Sequence, residues 1–208
     1  MSLKAEFEKF YKENFGEQEL IFRVLYKFSI GIRFEIGRPN DNPNTSKVYT
    51  KNAVARATVI FNEVFEKNDI IYFIVNSFED NPNDIAGDNI SHVRPLIRHI
   101  QDECRFTFNS VEDEEFSCTR YIIKACVNDI KIESLFTEIA KDDFGGKIGL
   151  TGCVYLINPR NNVIFWFYDD RGLDLISNDK KNIENLYEKY NDWISGYDRE
   201  RIEVVFKK

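Results

Sequence analysis

The run Cys153-Val-Tyr-Leu-Ile-Asn-Pro-Arg-Asn-Asn-Val-Ile-Phe-Trp-Phe-Tyr168 carries the decision about fold class. Two apolar stretches, Cys153 to Ile157 and Val163 to Tyr168, flank five turn formers, Asn158 to Asn162, and that pattern reads as a β-hairpin. Neighbouring antiparallel strands break a strict β-α-β alternation. Working upstream, Asp69-Ile-Ile-Tyr-Phe-Ile-Val75 is apolar on both parities, the mark of a strand covered on both faces and therefore central in its sheet. Ile32-Arg33-Phe34-Glu35-Ile36 alternates cleanly between Gly31 and Gly37, a strand with Arg33 and Glu35 on one face. Thr119 to Val127 reads as a further strand, and Ile202 to Phe206 as a terminal one.

Helical spacing links Leu3, Phe7, Phe10 and Tyr11, so a helix is expected from about 3 to 15. Val54, Ala57, Phe61, Val64 and Phe65 predict a second, with Thr50 or Asn52 as N-cap and an end near Asn68. Ser91 to Ile100 reads as a short helix with Pro95 in its first turn. Asn128 or Asp129 is expected to cap a helix carrying Ile132, Leu135, Phe136 and Ile139, with Gly145 and Gly146 as its stop. A last helix is expected after Ser177 or Asn178, burying Ile183, Leu186, Tyr187, Tyr190, Trp193 and Ile194 and stopping at Gly196. The stretches 38–46, 79–89 and 112–115 read as loops. The expectation is an α+β fold: a mixed or mainly antiparallel sheet covered by helices and closed by a hairpin, a helix and a strand.

A length of 208 residues at roughly 150 per domain favours one domain over residues 1–208. With 43% apolar and 14% aromatic residues there is ample material for a core, and 10 Gly and 5 Pro exclude collagen-like and low-complexity classes. The 28 Lys and Arg against 35 Asp and Glu leave a net charge of -7. An acidic body repels phosphate backbones, so nucleic acid is not an expected partner. The N-terminus mixes charges from Lys4 onward, and the longest apolar runs, 70–75 and 163–168, fall far below the ~18 residues of a membrane helix. A cytoplasmic protein with no membrane contact is expected. Cys104, Cys118, Cys126 and Cys153 are spaced by 14, 8 and 27 positions, unlike zinc ribbons or redox dithiols, and read as buried free thiols.

The densest polar cluster is Tyr168-Asp-Asp-Arg-Gly-Leu-Asp174. Carboxylates Asp169, Asp170 and Asp174 beside Arg171 have the oxygen donors for a divalent cation or for acid/base work. The plainer reading is an architectural corner in which Gly172 takes a positive φ, an aspartate bonds nearby N–H groups and Arg171 pairs across the turn. His92, Arg94, Arg98 and His99 form a candidate anion patch, the histidines sharing a face if the helix holds; the plainer reading is ordinary basic surface that pairs with the 112–115 acids or a partner. Pairing of Cys104 with His99 carries no sign of activation, and no Ser stands in a nucleophile elbow. Gly145 to Gly152 has the glycine density of a phosphate loop in the wrong order, with a strand rather than a helix after it. Lys180-Lys181 and Lys207-Lys208 read as solubilising charge. No cofactor and no metal site is expected.

Ile164-Phe-Trp-Phe-Tyr168-Asp-Asp-Arg-Gly-Leu-Asp-Leu-Ile176, with Leu186-Tyr187, Trp193-Ile194 and Tyr197-Asp-Arg199, resembles the C-terminal signature of the bacterial domain of unknown function 3885. Gly31 to Gly37, the helix 56–65 and Asp69-Ile-Ile resemble its N-terminal half, so the similarity spans about residues 20–206. The resemblance implies a bacterial, cytoplasmic setting and brings no activity or catalytic residue. Size, charge and tail also resemble immunity proteins of polymorphic toxin systems. The expected function is a non-enzymatic binding protein, an immunity-type inhibitor of a basic toxin, steered by its acidic surface and by the acids of 79–84 and 112–115. The alternative is a metal-dependent hydrolase or other enzyme using Asp169, Asp170 and Asp174.

Overall fold

In the computed structural model, residues 1–37, 46–78, 89–110, 117–141 and 154–207 are described. The 38–46 loop apart from Ser46, the acids of 79–84 and 112–115, Gly145 to Gly152 and Cys153 therefore lie outside them. Among the described residues, seven strands form one open sheet in the order β1-β7-β6-β5-β2-β4-β3, every neighbouring pair antiparallel. They are β1 (Gly31–Glu35), β2 (Ile70–Phe78), β3 (Ile100–Asn109), β4 (Ser117–Cys126), β5 (Val154–Asn158), β6 (Val163–Phe167) and β7 (Gly172–Ser177). The hairpin expected from 153–168 is the β5–β6 pair, its turn accommodated by Asn162 at φ 52°.

The helices are α1 (Leu3–Phe15), α2 (Val24–Lys27), α3 (Ser46–Val64), α4 (Asn89–Val93), α5 (Ile132–Ala140), α6 (Glu184–Lys189) and α7 (Arg199–Phe206). Alternation along β2 assigns the layers. Ile71, Phe73 and Val75 pack with the apolar faces of α3, α5, α6 and α7, whereas Tyr72 and Ile74 pack with Leu3, Phe7, Val24 and Leu25 of α1 and α2. With β4 on one side and β5 on the other, β2 is interior and buried along both faces. Removing that much apolar surface from water is the main force holding the sheet between its two helical layers.

Several boundaries differ from the expectation, each for a local reason. The segment 202–206 is helix α7, not a strand: Ile202 and Phe206 stand one turn apart on the buried side, while Glu203 pairs with Arg199 at 3.7 Å and Lys207 at 2.9 Å. The last long helix is broken into α6 and short 3-10 turns at 180–182 and 191–193, because Ile194 leaves helical geometry to bridge Phe34 and Ser195 N–H bonds the Arg33 carbonyl. That segment covers the outer edge of β1. Asp179, rather than Ser177 or Asn178, accepts the capping N–H, from Lys181.

Thr50 and Asn52 lie inside α3, which begins at Ser46 and ends at Val64; Asn128 and Asp129 lie in a 3-10 turn before α5 rather than capping it. The helix around Pro95 stops at Val93 and tightens into a 3-10 turn, which tolerates proline near its start. The edge strand β3 is not expected from the sequence: its polar, exposed residues hide the alternation of Cys104, Phe106 and Phe108. Of the thiols, Cys118 is buried, but Cys104 and Cys126 are only half-buried.

Candidate functional site

The string 168–174 spans the β6–β7 turn. Asp169 Oδ1 accepts the N–H groups of Arg171 and Gly172 at 2.8 and 3.0 Å, and its Oδ2 takes Arg171 Nε and Nη2 at 2.9 and 2.6 Å. Arg171 points outward on this corner, while its carbonyl accepts Ile36 N–H at 2.9 Å and so anchors the end of β1. Gly172 does not take a positive φ. Glycine is required there by space: a Cβ would stand 1.8 Å from Tyr168 Oη and 2.4 Å from its Cζ. Asp170 is buried in the corner.

Asp174 lies elsewhere, fully buried on β7 and in register with Arg33 of β1. The guanidinium meets it as a fork, Nε to Oδ1 at 2.7 Å and Nη2 to Oδ2 at 2.8 Å. Its Nη1 donates to Asp198 Oδ2 at 3.2 Å and to Tyr26 Oη at 3.1 Å, and Tyr26 Oη donates to Asp198 Oδ1 at 2.8 Å. The rings of Tyr26 and Tyr168 flank the cation at 5.1 and 5.7 Å. One arginine thus joins two buried carboxylates from opposite ends of the C-terminal region. Burial pushes the Asp174 carboxyl up, against the lowering pull of Arg33; for Arg33, burial opposes the charge but the bonds to Asp174 outweigh it and raise its affinity for the proton.

The residues of 197–199 divide their work. Tyr197 is exposed, Asp198 serves the Arg33 cluster, and Arg199 donates to Asn191 Oδ1, Asn191 O and Ile194 O, holding the stretch that covers β1. Arg201 donates to the carbonyls of Leu25 and Phe28 at 2.7 and 2.8 Å, fixing α2 and with it Tyr26. Arg33 was legible only as an outward position of an alternating strand; the clue to its role is a cation on a parity that, on β7, carries Asp174 between Gly172 and Ile176.

The histidine patch is dispersed. His92 is the half-buried penultimate residue of α4, Arg94 pairs with Glu103 of β3, and Arg98 and His99 are exposed beyond the end of the helix. Because α4 stops at Val93, His92 and His99 do not share a helical face. Burial, with Asp102 beside it, pushes the Cys104 thiol up, which disfavours a thiolate. Among the described residues no group of three or more His, Cys, Asp or Glu side chains could hold a metal ion.

The fold and its inward-turned charges define a class: an α+β protein built on an open antiparallel sheet, with a buried arginine–aspartate clamp at one end. The chain belongs to the family described as domain of unknown function (DUF3885), whose model matches residues 7–198. It is similar to the uncharacterized protein YnaE of Bacillus subtilis (strain 168), 26% identical over 205 residues that cover 89% of this chain and 95% of that protein. No solved structure matches the chain.

Proposed function

We propose that this bacterial protein is a non-enzymatic binding protein, an immunity-type inhibitor whose acidic surface meets a basic protein partner in the cytoplasm. The observation that carries the reading is the fate of the carboxylates in 169–174 and at 198. Asp174 and Asp198 are both held by Arg33 inside the fold, and Asp169 is tied to Arg171 and two N–H groups of its own turn. Metal-assisted hydrolysis needs carboxylates that converge on one ion, and proton transfer needs one open to substrate. These are turned to architecture, leaving an excess of seven negative charges to act as a field.

The test is cross-linking and co-purification from the native bacterium, followed by association kinetics with the captured protein from about 0.1 to 1 M salt, where the Debye length falls from about 10 to 3 Å. A basic partner whose association slows steeply while dissociation changes little supports the reading. Replacing Glu112, Asp113, Glu114 and Glu115 by their amides should slow association further without unfolding the protein. An acidic partner, nucleic-acid binding at physiological salt, or chelator-sensitive turnover lost on Asp169→Asn overturns it.

A further inference from the structure

At the opposite end of the sheet from Arg33, a second arginine faces inward. Arg120 of β4 lies in register between Asn76 of β2 and Phe106 of β3, on the face covered by α1. Its Nε donates to Asn76 Oδ1 at 2.9 Å and its Nη2 to the Leu20 carbonyl at 2.8 Å; Asn76 Nδ2 donates to the same carbonyl at 2.8 Å. The ring of Phe108 lies 4.7 Å from the guanidinium. Its hydrogen-bond partners among the described residues are neutral.

The contrast with Arg33 and with Arg160 of the β5–β6 turn is direct. Arg33 meets Asp174 and Asp198, and Arg160 meets Asp69 and Glu66. Among the described residues no ion pair joins Arg120 to a carboxylate, and its Nη1 makes no hydrogen bond. Burial pulls its affinity for the proton below the ordinary arginine range, although arginine still remains charged. A half-buried guanidinium with no ion pair of its own among the described residues is costly to hold, and the cost falls when an anion meets it.

Arg120 lines a cavity of about 360 Å³ between α1, residues 16–20 and the β3–β4 edge, with Phe7, Tyr11, Phe106 and Phe108 among its walls. The volume lies within the range of small-molecule sites. Its rim is set by Gly16 at φ 78° and by Tyr11 Oη donating to the Gln18 carbonyl at 3.0 Å. The other cations there are matched: Lys4 with Glu8 at 3.6 Å and Lys12 with Glu17 at 2.7 Å. Glu19, whose charge Arg120 feels, accepts the Ser110 hydroxyl at 2.7 Å. Arg120 and Glu19 remain, and Glu19 is held by Ser110 while Arg120 lines the aromatic cavity.

We infer that this cavity is a binding site for a small monocarboxylate with an apolar or aromatic body, its carboxylate on the free edge of Arg120 and its body against Phe106, Phe7 and Tyr11. A phosphate dianion fits less well, since one guanidinium faces it and Glu8, Glu17 and Glu19 surround it. The inference does not depend on the protein-binding role proposed above.

The experiment is a titration of the full chain, followed by amide and arginine Nε NMR, with phenylacetate and octanoate as probes and 2-phenylethanol and phenyl phosphate as controls. Saturable shifts at Leu20, Phe106, Phe108 and Arg120 Nε are expected with both carboxylates, binding at least tenfold tighter than either control. Arg120→Gln should weaken phenylacetate at least tenfold. Should that variant not fold, Phe106→Ala, at the half-buried wall, should weaken octanoate while leaving the fold intact. Absence of saturable shifts with the wild-type chain, equal binding of the alcohol, or shifts confined to other surfaces overturns the assignment.

Discussion

Arg33 and Asp174, 141 positions apart in the chain, are register partners on β1 and β7, joined by two parallel hydrogen bonds of 2.7 and 2.8 Å with Asp174 fully buried. Replacing Arg33 by Met keeps the stem but strands two buried carboxylates. The expected cost is about 3–5 kcal/mol at neutral pH by chemical denaturation.

That cost should depend on pH in a defined direction. Burial already lifts the Asp174 carboxyl above the ordinary 3.8, and Arg33 is what restrains the rise. Without Arg33 it rises further, so above about pH 4 the native variant holds a proton that the unfolded chain has released, and its stability falls as pH increases. The wild-type-to-variant difference should therefore be larger at pH 7.5 than at pH 4.5. A difference that is the same at both values contradicts the buried pairing.

Asp69 predicts the opposite trend. Burial raises its carboxyl, but Arg160 (Nε at 2.7 Å), the Glu66 N–H and Asn158 (Nδ2 at 2.7 Å) outweigh that and hold it below the ordinary range. Its contribution is present above pH 3.8 and lost as pH falls through the depressed value. Asp69→Asn should cost about 1–3 kcal/mol at pH 7, with the penalty shrinking in urea melts below pH 4.

Gly172→Ala should destabilise by about 1–3 kcal/mol, because the added methyl overlaps the Tyr168 ring. Combining it with Tyr168→Leu should return part of that loss, a favourable coupling in a double-mutant cycle. Backbone strain at a positive φ would give no such rescue, so additive penalties would contradict the steric account.

Phe73, fully buried at the centre of β2, should cost about 3–5 kcal/mol when cut to Ala, and amide exchange should be slowest along β2. Fast exchange at 71–75 would show that β2 is not the interior strand.

Periodicity and turn chemistry, which are local, already determined much of this protein. Two-sided apolarity placed 70–75 in the interior, Asn158 to Asn162 announced a hairpin, and steps of three and four wrote α1 and the apolar faces of α3 and α5. Where local signals conflict, tertiary packing decided. Ile202 to Phe206 has strand-forming residues but buries Ile202 and Phe206 one turn apart, so it is a helix; β3 is polar enough to hide, and its pairing with β4 makes it a strand. The charged residues were legible as types and not as partners. Asp169, Asp170 and Asp174 are neighbours in the chain, yet strand alternation turns Asp174 to Arg33 while the turn keeps Asp169 with Arg171. Charge pairing inside a sheet follows register and face, which depend on how distant strands align, and no window of sequence around Arg33 or Arg120 contains that information.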